Sequence, residues 1–96
     1  METALQNCTA AAVRDLDRAL ATLGQYRSPG RRLDTACLTI ESAKELLCDE
    51  RPYRAVQLLQ HARKVLRPAM GAEEIASDSG VMVTRYLDSA LSSLGI

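Results

Sequence analysis

Hydrophobic residues recur along this chain at three- and four-residue intervals in four stretches, each bounded by residues that favour turns. Such spacing lines one face of an α-helix, because side chains three and four apart stack on the same side. The first stretch carries Leu5, Ala12, Val13, Leu16, Leu20 and Leu23. Thr3-Ala4-Leu5-Gln6 before it has the form of a capping box, in which the threonine hydroxyl and the glutamine side chain satisfy free backbone donors; Gly24 is a natural stop. Arg14 with Asp17, and Asp15 with Arg18, place opposite charges three residues apart on the outer face.

The second stripe is Leu33, Ala36, Cys37, Ile40, Ala43 and Leu47, and its helix is expected to end near Cys48. Ser28-Pro29-Gly30 precedes it as a loop, or as a serine cap with proline at the first helical position. Asp49-Glu50-Arg51-Pro52 puts acids and a proline in the first turn of a third helix, whose apolar face is Ala55, Leu58, Leu59, Ala62, Val65 and Leu66 and which Pro68 and Gly71 close. The last stretch has Ile75, Ala76, Val83, Leu87, Ala90, Leu91 and Leu94 on one side, widened by Met82 and Tyr86. So broad a face needs more than one neighbour. Gly80 falls within it at a cost of about 1 kcal/mol relative to alanine, so it either permits close helix contact or separates a short helix at Ala72 to Ser77 from a longer one after Ser79.

Short connections predict antiparallel neighbours, hence an all-α, up-down antiparallel bundle of about four helices. No alternating strand pattern competes. Residues 1–96 read as a single helical-bundle domain, a length that buries only roughly two-thirds of the unfolded surface and favours extra stabilisation by self-association or a partner. The middle hairpin, through Ala43, Leu46, Ala55, Leu59 and Ala62, resembles one unit of a tetratricopeptide array. A lone unit of that kind does not bury its own face.

Charge and composition narrow the function classes. The 12 basic and 12 acidic residues cancel, so no global field draws the chain to nucleic acid or to an anionic membrane. Cys8, Cys37 and Cys48 lack the paired spacing of a zinc site and read as buried free thiols of a reducing compartment. No basic segment followed by an apolar run opens the chain, and no span of about 18 apolar residues occurs, so a cytoplasmic location is expected. Lys44 falls within the second stripe near Leu33 and Cys37, where it must snorkel or meet a carboxylate such as Glu41.

Candidate chemistry is sparse. His61 is the sole histidine, so no second one serves a nucleophile as base, and the expectation is a chain with no catalytic, cofactor-binding or metal site. Apolar residues at or off the stripe margins point instead to interaction: Leu38, Val56, Ile75, Val81, Met82 and Tyr86 form the candidate interface for another protein, or for a homodimer. That is the pattern of a non-enzymatic interaction module such as a small bacterial regulator, anti-activator, adaptor or secretion-type chaperone.

Two alternatives start from the third helix. His61, with Lys64 three residues on, Met70-Gly71-Ala72 and Ile75 beyond, and Tyr53 two turns before, resembles the histidine phosphotransfer domain over about residues 49–75. The resemblance implies a helical bundle that relays a phosphoryl group through His61, with Lys64 holding its charge. In that family a small residue, usually glycine, stands one turn after the histidine, where this chain has Val65; an apolar one stands two after it, where Arg63 is, and a small one before it, where Gln60 is. The second alternative is weak nucleic-acid binding through Arg51, Arg54, Arg63, Lys64 and Arg67, joined by Arg27, Arg31 and Arg32. On a helical projection these charges spread over both flanks, which disfavours nucleic acid as a partner.

Overall fold

A computed structural model describes residues 3–26, 32–72 and 74–95, with side chains from Thr9 onward. It is an all-α bundle of four helices: α1 (Thr3–Gly24), α2 (Arg32–Cys48), α3 (Pro52–Gly71) and α4 (Ser77–Ser93). Each packs against its chain neighbours and α4 closes back on α1, whereas the backbones of the diagonal pairs α1–α3 and α2–α4 make no close approach among the described residues. The side chains of Leu5, Cys8 and the Thr3–Gln6 capping box, and the Ser28-Pro29-Gly30 loop with Arg27 and Arg31, lie outside the described residues. No described helix is long and apolar enough to cross a membrane.

The core is built from stripes that advance by alternating steps of three and four residues, and along them small and large side chains take turns. Ala12, Leu16, Ala19 and Leu23 are buried on α1; Ala36, Ile40, Ala43 and Leu47 on α2; Ala55, Leu59, Ala62, Leu66 and Ala69 on α3; Gly80, Val83, Leu87 and Ala90 on α4. A step averaging 3.5 residues keeps one seam facing a neighbour along the whole helix. Alanine opposite leucine lets backbones approach while the larger side chains fill the gaps. The alanine-rich α2 and α3 accordingly make the most extensive pairing, followed by α1 with α4, whereas α3 and α4 share the least.

Polar links tie the upper end of the bundle. Tyr26 Oη, just after α1, lies 3.2 Å from Ser79 Oγ in the first turn of α4, and Arg32 Nη1 at the start of α2 donates to Glu74 Oε2 at 2.9 Å. Ile75 anchors the same α3–α4 connection by burying its side chain.

Several local expectations change. Helix α4 runs unbroken through Gly80, which permits close contact: a Cβ there would stand 2.8, 2.9 and 3.0 Å from the Cγ, Cε and Sδ of Met70. The short helix expected at Ala72 to Ser77 does not form among the described residues. Pro68 lies within the last turns of α3 and does not end it; its missing N–H removes the helical bond to the Lys64 carbonyl, on an exposed side of the helix. Asp49 and Glu50 do not supply acids to the first turn of α3. They end α2: Arg51 N–H donates to Leu46 O at 2.8 Å and Glu50 N–H to Leu47 O at 3.2 Å, the paired bonds of a Schellman turn, with Glu50 at φ 61° where glycine is usual.

Candidate functional site

The α3–α4 seam is the loosest in the bundle, and it opens into a cleft of about 910 Å³. From α3 come Gln60, Arg63, Lys64, Arg67, Pro68 and Met70, and from α4 Val81, Thr84 and Arg85. Residues 60, 63, 64, 67 and 68 repeat at three- and four-residue spacing, so they form a single stripe beside the buried Leu59, Ala62 and Leu66. Long charged side chains on that stripe keep their heads in water and leave the seam unfilled.

The two helices run antiparallel, so the groups of the cleft have an order along it. At one end Met70 lies over Gly80, with Pro68 and Val81 beside it. Lys64, Arg67 and Arg85 follow, and at the far end Arg63 Nε meets Asp88 Oδ1 of α4 at 3.2 Å. Every ionisable side chain lining the cleft is a cation. Arg63 has its acid, whereas Lys64, Arg67 and Arg85 form no ion pair among the described residues. Thr84 supplies the only hydroxyl, and it donates to Gly80 O at 2.9 Å. Such a cleft attracts and orients negative charge beside an apolar floor.

The expected interface residues separate. Val56 and Ile75 are core residues, not surface ones, because Val56 turns inward at the margin of α3 and Ile75 closes the α3–α4 connection. Leu38 is 50% exposed, but it belongs to α2, the helix diagonal to α4. Val81 and Met82 remain together on α4, 45% and 47% exposed, with Tyr86 one turn on and half-buried against the core.

His61 is exposed on α3 but does not line the cleft, so Lys64 lies in the cleft wall while the histidine stands outside it. Val65, one turn after the histidine, is half-buried. The basic residues do not all spread over both flanks as the projection suggests: Arg63, Lys64 and Arg67 converge with Arg85, a residue of α4 that inspection of the third helix by itself does not bring in. Arg51 and Arg54 are exposed outside the cleft. A charge three to four residues after Val81, facing a basic stripe across an antiparallel seam, is the signal that locates Arg85.

On the opposite side, Leu20 of α1 with Glu41, Lys44, Glu45, Cys48 and Asp49 bound a smaller cleft of about 620 Å³. Lys44 reaches neither water alone nor Glu41 as its principal partner; its Nζ bonds Asp17 Oδ1 of α1, which takes Asp17 from the expected pairing with Arg14. The hydrogen bond that Lys44 donates to the Asp17 carboxylate is the main reason its ammonium titrates above its ordinary 10.5. Cys37 is buried, but Cys48, at the last position of α2, is exposed contrary to the expectation of a buried thiol. Among the described residues no three His, Cys, Asp or Glu side chains gather to hold a metal ion.

No protein-family model matches the chain, and no match is found among curated proteins or solved structures.

Proposed function

We propose that this chain is a non-enzymatic interaction module that binds another protein through the α3–α4 side of its bundle, in the manner of a cytoplasmic regulator, anti-activator, adaptor or secretion-type chaperone. The observation that carries this reading is the pair Val81 and Met82, nearly half exposed on α4 with Val81 lining the open cleft, while Gly80, Val83, Leu87, Ala90 and Leu91 of the same helix are buried. An apolar surface adjoining a concave one is the usual anatomy of a docking site. Supporting it, the cleft offers cations and apolar walls, and its lone hydroxyl has no base beside it.

The test is capture from a nuclease-treated lysate of the native host by the tagged chain and by its Met82→Asp variant, with quantitative mass spectrometry. One dominant protein retained in stoichiometric amount by the parent and lost by the variant is the expected result. If parent and variant retain the same proteins, or if the chain only captures itself and sediments as a homodimer, the reading fails.

A further inference from the structure

We infer that the occupant of the α3–α4 cleft is an acidic amphipathic helix of the partner protein, which sets an aliphatic side chain against Pro68, Met70 and Val81 and carboxylates against Lys64, Arg67 and Arg85. The inference rests on the protein-binding reading above and names the chemistry of the partner.

Charge complementarity carries the argument. The chain as a whole is neutral, with 12 basic and 12 acidic residues, yet among the described residues no acid lines this cleft. Its neighbouring acid, Asp88, is joined to Arg63. Lys64, Arg67 and Arg85 are thus cations that the bundle assembles from two helices and that form no ion pair among the described residues. A ligand carboxylate gains two things there: attraction from several convergent charges, and bidentate hydrogen bonds from arginine where the geometry of the fork allows.

The order of groups specifies a pattern. Arg85 stands four residues after Val81 on α4, and Arg67 and Lys64 lie one and four residues before Pro68 on α3. At a rise of about 1.5 Å per residue, Arg67 lies about 4.5 Å along the axis from Met70, Arg85 about 6 Å from Val81 and Lys64 about 9 Å from Met70. A helix laid along the seam therefore needs an aliphatic residue at one position and acids three, four and seven residues away.

The apolar floor separates this occupant from its competitors. Nucleic acid gains nothing from Pro68, Met70 and Val81, and the walls offer no aromatic side chain and a single amide, Gln60, for reading bases. A second copy of the chain would have to present the α1–α2 cleft, where Glu45 and Asp49 are exposed but Lys44, fixed by Asp17, stands among them and meets the cations with like charge.

The probe is a displayed library of random peptides selected on the folded chain. The double variant Lys64→Glu/Arg85→Glu, the milder Lys64→Gln/Arg85→Gln, and Arg54→Glu on α3 outside the cleft serve for comparison. All these positions are exposed, and circular dichroism verifies that each variant keeps its helices. The expected result is enrichment of peptides with an aliphatic residue followed at three, four or seven positions by Asp or Glu. By fluorescence anisotropy the charge-reversed variant binds them roughly tenfold or more weakly, the neutral one several-fold more weakly, and Arg54→Glu equally well.

Enrichment without acidic bias, enrichment that survives charge reversal, or no enrichment at all overturns the inference. So does a single-stranded oligonucleotide that binds more tightly than the selected peptides and with the same dependence on Lys64 and Arg85. Self-association that Lys64→Glu/Arg85→Glu breaks and that mixing with Glu45→Lys/Asp49→Lys restores assigns the cleft to a second copy instead. A lysate partner lost by Met82→Asp but kept by Lys64→Glu/Arg85→Glu sinks the acidic helix while leaving the protein-binding reading intact.

Discussion

Helix α3 borders two seams that its own residues make different. Toward α2 it presents Ala55, Leu59, Ala62, Leu66 and Ala69, all buried, against a partner stripe that also carries small residues at Ala36, Cys37 and Ala43. Toward α4 it presents Gln60, Arg63, Lys64 and Arg67, and the seam stays open to water. The two stripes are about a third of a turn apart on the same helix. Short apolar side chains let helices close to interlocking distance, whereas long cationic ones must reach solvent and hold a seam ajar. Stability is therefore concentrated on one side of α3 and ligand chemistry on the other.

The largest expected effect tests that division directly. Leu59→Ala removes a fully buried side chain from the closed side and should cost about 2–5 kcal/mol, a sizeable part of the stability of a small domain. Val81→Ala, on the open side, should cost less than about 0.5 kcal/mol. Urea denaturation of both variants checks the pair, and equal losses would mean that the α3–α4 seam is packed as tightly as its counterpart.

A smaller gain is expected at the turn that brings α2 back against α3. Glu50 occupies the left-handed region at φ 61°, a conformation that costs a residue with a Cβ about 1 kcal/mol or more. Glu50→Gly should stabilise the hairpin by about 1 kcal/mol, partly offset by the entropy of glycine in the unfolded chain. A higher melting temperature with unchanged helicity is the outcome that supports this account; a lower one would show that the Glu50 side chain contributes more than its backbone costs.

The smallest effect contrasts the cation of the α1–α2 cleft with those of α3–α4. Lys44 is held by Asp17, so its folded-state pKa lies above the ordinary 10.5. Its contribution is accordingly complete below about pH 10.5 and is lost as the pH rises through the folded-state value. Both partners are more than one-third exposed, and screening reduces the pair to about 0.5 kcal/mol. Asp17→Asn should cost that amount at neutral pH and nothing once Lys44 is deprotonated; a pH-independent cost would assign the loss to packing. Reversal of Lys64, which forms no ion pair among the described residues, should leave stability within about 0.5 kcal/mol at any pH.

Much of the architecture is local and so was open to reading along the chain. The stripe of α2 is buried residue for residue, and α1, α2 and α3 end at Gly24, Cys48 and Gly71. Margins were harder. Ala19, Val56 and Ala69 enter the core, while Val13, Leu20, Leu58 and Val65 stop halfway, because a neighbour's crossing position decides which edge of a stripe it covers. Within the cleft, Arg63, Lys64 and Arg67 stand out as a basic run, but their meeting with Arg85 depends on how two antiparallel helices align.

The amino-acid sequence by itself determined four amphipathic helices and their short connections, since helical periodicity, proline and glycine act over a few residues. Only the tertiary structure decided that alanine closes one side of α3, that Val56 and Ile75 are core, and that Asp17 takes Lys44. It also decided that cations from two helices share one cleft. Each of these depends on distances between residues far apart in the chain, which are settled when the helices pack and not when they form.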